Sequence, residues 1–174
     1  LYSQNSNVWY FGNGAGLRFD GNIPRPLTDG QMYTNEGCAV MSNSKGDLLF
    51  YTDGVTVWNS QHDTMSNGTN LGGSRSSTQS AIIIGKPGSS SHYYIFTVSD
   101  QINKPGFAYS VVDMRSSGGK GRVIEKRKPL LFPVAEKLTA VPHCNGNDIW
   151  VLVHKWKSNA FYAYPVTSDG VDVP

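Results

Sequence analysis

The chain is short of cysteine, charge and long apolar runs, and each shortage removes a class of function. Cys38 and Cys144 are the only cysteines in 174 residues. Two thiols cannot build a disulfide framework, and they do not form the CxxC spacing that holds zinc. The simplest expectation is two small buried residues; the alternative is a single bridge closing a loop of more than 100 residues. Charged residues make up only 16% of the chain, with a formal net charge of +2. That balance is too small to argue for nucleic acid as a partner. The one basic run, from Lys120 and Arg122 to Lys126-Arg127-Lys128, reads as a solvated face. No segment approaches the roughly 20 apolar residues of a membrane-spanning helix. No positively charged start with an apolar stretch stands at Leu1, so a signal peptide is expected to be already removed or never included. Gly12, Gly14 and Gly16 miss the dinucleotide GxGxxG pattern and no helical pattern follows them, which argues against a phosphate-cradling loop.

What is abundant points one way. There are 19 Gly and 9 Pro, with many Ser, Asn and Thr. The aromatics sit mostly inside β-forming runs. This is an all-β composition, with short strands joined by frequent turns. The stretch Gly46–Asn59, GDLLFYTDGVTVWN, has two apolar runs around Asp53-Gly54, a strong hairpin signal because Gly takes positive φ without a Cβ penalty.

Laid against itself, the chain repeats this pattern. The first unit runs from Gly37-Cys-Ala-Val-Met41 through Leu48–Tyr51 to Val55–Trp58. The second runs from Ser80–Ile84 through Tyr93–Val98 to Phe107–Val112, with Gly121–Leu131 as a fourth strand. The third runs from Leu138–Val141 through Ile149–Val153 to Phe161–Tyr164. Four antiparallel strands in each of several repeats of roughly 40–50 residues is the pattern of propeller blades. The expected division is residues 1–36 as a lead-in whose first strand completes a closing blade, then units at 37–79, 80–137 and 138–174. About three blades do not close a ring, so the chain reads as part of a larger propeller. A two-sheet β-sandwich is the alternative fold.

Several stretches taken together carry a resemblance: Asn7–Leu17 (NVWYFGNGAGL), Leu27-Thr-Asp-Gly30, Thr34–Ala39 (TNEGCA), Leu49–Gly54 with Val57-Trp-Asn59, Ser77-Thr-Gln-Ser80, Leu138-Thr-Ala-Val141 and Val151–Trp156 (VLVHKW). In this order they resemble the N-terminal propeller region of large secreted proteins of gliding and related Bacteroidota. That family is commonly multidomain, with PKD-like modules and a C-terminal domain for type IX secretion. The resemblance implies a WD40-like propeller at the cell surface or outside the cell, in a gliding, adhesion or secretion setting. It supplies no catalytic residues.

The residues that carry chemistry each have a plain structural reading beside the functional one. His143 and His154 look like a metal pair. However, a turn at Asn145-Gly146 sets His143 opposite Asp148 and His154 opposite Lys137, about 20 Å apart along the strand. Glu36 and Asp53 have the residue types of a glycosidase pair, but Asp53 has a sufficient turn role. Ser80, His92 and Asp100 lack a nucleophile elbow. Asp47 and Asp53 do not form a calcium loop. Asn67-Gly-Thr69 is an N-glycosylation sequon. Asp63-Thr64-Met65 resembles a short O-glycosylation motif of exported Bacteroidota proteins, in what reads as a polar loop. Tyr33, Tyr109, Tyr162 and Tyr164 are aromatic-face candidates or inter-blade packing, while Trp150 and Phe96 read as core.

The expectation is therefore a non-enzymatic propeller scaffold, exported, presenting a surface to protein or glycan partners inside a larger chain or complex. Glu36, Trp58 and Trp156 are the expected binding residues and Thr64 the expected O-glycosylation site; no catalytic residue, metal or cofactor is expected. The competing expectations are a polysaccharide-active enzyme using channel carboxylates, and a structural subunit of an outer-membrane assembly.

Overall fold

A computed structural model of the chain describes residues 7–21, 23–100 and 105–174. The chain is all-β, and a 3-10 turn at Ser117–Gly119 is the only helical element among the described residues. The first sheet holds β1 (Val8–Phe11), β2 (Ala15–Asp20) and β3 (Ile23–Leu27), in that order. The next meander holds β4 (Ala39–Ser42), β5 (Leu48–Thr52), β6 (Thr56–Asn59) and β7 (Thr64–Thr69). After it come β8 (Ala81–Gly85), β9 (His92–Val98), β10 (Phe107–Asp113) and β11 (Arg122–Leu131). The last sheet holds β12 (Val134–Pro142), β13 (Ile149–Lys155) and β14 (Phe161–Val166). The two four-stranded meanders share one hydrogen-bonded sheet through a parallel bridge between their last strands, Arg122 opposite Ser66.

The three repeated hairpins close with the same chemistry, which explains why one sequence pattern recurs. Asn43 N–H donates to Asp47 O at 2.8 Å, Lys86 N–H to His92 O at 2.9 Å, and His143 N–H to Asp148 O at 2.8 Å. Inside each loop a short polar side chain accepts the backbone donors that strands cannot satisfy: Asn43 Oδ1 from Lys45 and Asp47, Ser89 Oγ from Ser91 and His92, Asn145 Oδ1 from Asn147 and Asp148. The β12–β13 register, with Pro142 opposite Ile149 and Leu138 opposite Val153, is the one the Asn145-Gly146 turn implies.

Three apolar clusters join the sheets face to face. Val8, Tyr10, Met32, Tyr51 and Trp58 lie between the first sheet and the β4–β7 meander. Phe50, Val57, Met65, Ile95, Val112 and Val123 join β4–β7 to β8–β11. Phe96, Val98, Phe107, Leu138, Val151 and Tyr164 join β8–β11 to the last sheet. The first strand of each later unit packs beside the next, β4 against β8 and β8 against β12, and β1 contacts β4.

Four details differ from the sequence reading. The lead-in holds a three-stranded sheet, β1 pairing with β2 and β2 with β3, because Trp9 and Tyr10 align with Leu17 and Gly16 across a tight turn at Gly12–Gly14. Thr64–Thr69 is a strand rather than a loop: Met65 and Gly68 point inward while the polar residues between them face water. β12 begins at Val134 rather than at Leu138, since Val134 pairs with Lys155 across a bulge that the charged Glu136-Lys137 pair conceals in the sequence. Both cysteines are free, and Cys144 is exposed in the β12–β13 turn rather than buried.

Candidate functional site

Of the two carboxylates weighed as a glycosidase pair, Asp53 is the more densely bonded, and every bond is structural. Its side chain is fully buried. Oδ1 accepts the N–H groups of Val55 and Thr56 at 2.8 and 2.7 Å, and Oδ2 accepts Arg75 Nε at 2.8 Å. Its carbonyl takes the Ser80 hydroxyl at 2.7 Å. Thr52 Oγ1 completes the turn by accepting Gly54 N–H and donating to Thr56 O. With both oxygens committed, this carboxylate has no free face for a substrate. Any other residue at Gly54 is strained, since the position holds φ +83° and a Cβ there runs into the Ser80 hydroxyl.

Glu36 is exposed in the segment before β4, and no ion pair or hydrogen bond joins it to Asp53 among the described residues. Trp58, expected at a binding surface, is 7% exposed and stacks on Tyr51 with centroids 5.5 Å apart. Trp156 is half-buried just after β13, its backbone N–H donating to Pro133 O. Thr64 is exposed at the start of β7. Asn67 is not a free sequon: its amide donates to Val123 O at 2.8 Å and accepts Lys126 Nζ at 3.0 Å. Ser80 and His92 do not meet, since the serine bonds Asp53 and the imidazole bonds Ser89. His143 stacks near Trp150 and His154 near Phe161, at separate ends of β13. Among the described residues no three His, Cys, Asp or Glu side chains converge on a metal-sized site.

The structure brings together a group that sequence reasoning missed. Tyr10 of β1 donates its hydroxyl to Asp29 Oδ1 at 2.7 Å, and His62 Nε2 lies 3.3 Å from Asp29 Oδ2. His62 Nδ1 is 3.1 Å from the Tyr51 hydroxyl, which also accepts Gln31 N–H at 3.0 Å. The Tyr10 and Tyr51 rings stack at 4.7 Å. Burial pushes both phenols up, and for Tyr10 the bond to Asp29 adds to it. The Tyr10 hydroxyl in turn holds the Asp29 carboxyl below its ordinary range. The four side chains come from residues 10, 29, 51 and 62, so no local motif announces them.

A second feature lies where β4, β8 and β12 run side by side. A groove of about 520 Å³ is lined by Val40, Met41, Ile82, Ile83, Ile84, Gly85, Thr139, Ala140, Val141 and Ile149. No lining residue carries a titratable side chain. The last sheet also has an open apolar face: Trp150, Leu152, Phe161 and Pro165 alternate with the buried Val151, Val153, Tyr164 and Val166. Phe161 is 74% exposed. Trp150 therefore belongs to this open face and not to the core, whereas Phe96 is fully buried. The first sheet likewise shows Trp9 and Phe11 outward, Trp9 packed edge-on against Phe19. No helix of the described residues is long and apolar enough to cross a membrane. Comparison with protein-family models, with curated proteins and with solved structures finds no match to this chain.

Proposed function

We propose that the chain is a non-enzymatic propeller-type scaffold, part of a larger ring, that presents a binding surface to a protein partner. The observation that carries this reading is the groove along β4, β8 and β12, walled mostly by aliphatic side chains with Thr139 the one polar side chain of the lining. Polysaccharide chemistry at a propeller channel needs carboxylates there. Here the candidate carboxylates lie elsewhere, with Asp53 buried in its turn and Glu36 exposed before β4. An apolar groove complements an apolar protein segment better than a hydroxyl-rich glycan, which leaves its polar groups unpaired against such walls. The open apolar faces of the first and last sheets repeat the surfaces that join the inner sheets, which supports further sheets packing there. The exported, cell-surface setting in Bacteroidota, and O-glycosylation at Thr64, rest on the sequence resemblance alone. The test is an activity assay on a panel of polysaccharides, reading new reducing ends. No release is expected from the wild type; release that Glu36→Gln abolishes without lowering Tm overturns the proposal in favour of an enzyme.

A further inference from the structure

The sheets follow one another in a single sense, and each inner one uses both of its faces. In β4–β7, Tyr51 and Trp58 face the first sheet while Phe50 and Val57 face β8–β11. In β8–β11, Ile95 and Val112 face β4–β7 while Phe96 and Phe107 face the last sheet. The two end sheets use one face each. The first buries Val8 and Tyr10 against β4–β7. Its strand register sets Trp9, Leu17 and Pro26 in one row across the back, with Phe19 beside Pro24 in another. Its charged residues, Arg18, Asp20 and Arg25, lie on the other face, where they pair with one another and with Asp47. The last sheet buries Val151 and Tyr164 against β8–β11, and its front carries Trp150 beside Pro165 and Leu152 beside Ala163. Phe161 completes that front next to His154, whose Nε2 is bonded to Ser158 O. Lys137 of β12 shares a cleft with Leu152 and Phe161.

We infer that a second copy of this chain covers both open faces: the front of each copy's last sheet docks on the back of the other copy's first sheet. Two copies of four sheets then close a ring of eight. Continuity with the three internal interfaces identifies the occupant. Each of those joins the front of one sheet to the back of the next through apolar side chains. A partner for the last sheet must therefore offer an apolar back and a partner for the first an apolar front, and the chain itself carries both. At the two ends Trp9, Phe11 and Phe161 are exposed, so four sheets do not close the ring; propellers close with about four to eight blades. The pair is twofold symmetric and makes the contact twice, so once one contact forms the second is intramolecular. The inference rests on the propeller reading proposed above and is independent of what the groove binds.

Sedimentation equilibrium of the whole chain at micromolar concentration tests the ring, and the wild type alone can overturn it. A dimer is expected; a monomer, or the open filament that a front-to-back contact forms when it does not close, contradicts the inference. Phe11→Asp spoils the back and Phe161→Asp the front. Both side chains are exposed in the single chain, so circular dichroism spectra like the wild type's are expected. Each variant alone places an aspartate in both contacts and is expected to weaken association about a hundredfold or more. Mixed in equal amounts, the two regain one contact free of either substitution. The mixed dimer is therefore expected to be tighter than either variant with itself, by about tenfold or more. Association lost in Phe161→Asp alone means front-to-front pairing, association lost in Phe11→Asp alone means back-to-back pairing, and either result overturns the ring, as does a mixture with no gain. A monomeric wild type that still binds an apolar dye at the groove removes the second copy and leaves the scaffold reading standing.

Discussion

Asp53 anchors the turn between β5 and β6. Its oxygens satisfy two backbone N–H groups and Arg75, and its carbonyl anchors Ser80 at the start of the next unit. Asp53→Ala strands buried donors and frees a turn, so a loss of about 2–4 kcal/mol is expected. For a domain of this size that is a drop in Tm of roughly 5–15 °C. Arg75→Ala is expected to cost less, about 1–2 kcal/mol, because the Arg75 side chain is 54% exposed and its removal opens Asp53 Oδ2 to water. Thermal unfolding followed by circular dichroism checks both. Equal losses for the two variants would show that the ion pair, not the turn, carries the stability.

At the scale of elements, the meanders are held together at their outer rim by residues that read as solvent-facing. β7 and β11 share one parallel bridge, Arg122 opposite Ser66. Around it, Lys126 Nζ reaches Asn67 O, Asn67 Oδ1 and Thr69 O at 3.0–3.4 Å, while Asn67 donates to Val123 O. Lys128, two residues along the same strand, pairs among the described residues only with the exposed Glu125. Lys126→Ala is therefore expected to cost about 1–2 kcal/mol and Lys128→Ala less than about 0.5 kcal/mol, read from urea unfolding midpoints. Similar midpoints for the two would place the rim's stability elsewhere. The basic run looked uniform in sequence because charge patterning carries no information on which lysine meets a carbonyl. The hairpins were legible for the opposite reason: Asn43, Ser89 and Asn145 fix their turns through bonds to residues at most four positions away. The network of Tyr10, Asp29, Tyr51 and His62 was illegible because its members come from four separate segments, and only the packing of the first sheet on β4–β7 brings them together. Trp58 and Trp150 exchanged roles for a related reason. Which strand face is covered depends on the neighbouring sheet, while alternation alone gives two equivalent faces.

Across the whole molecule, sheets follow one another with their first strands side by side, and the groove along those strands is walled mostly by aliphatic side chains. All-β character and hairpin spacing came through from the residues because turn chemistry is local. The sheet built by β1–β3 did not, since its Gly-rich connection and short strands carry no repeat of the later pattern. The most direct measurement of the central claim, a protein-binding surface along the groove, is a fluorescence titration with the apolar dye anilinonaphthalene sulfonate, run beside a soluble glycan panel. Val141, 43% exposed, lines the groove, and Phe161, on the open face of the last sheet, serves as the comparison. The wild type is expected to bind the dye at the groove, Val141→Asp to weaken that binding about tenfold at unchanged Tm, Phe161→Ser to leave it in place, and no glycan to be retained. Dye binding indifferent to Val141→Asp, or glycan retention by the wild type, would contradict it.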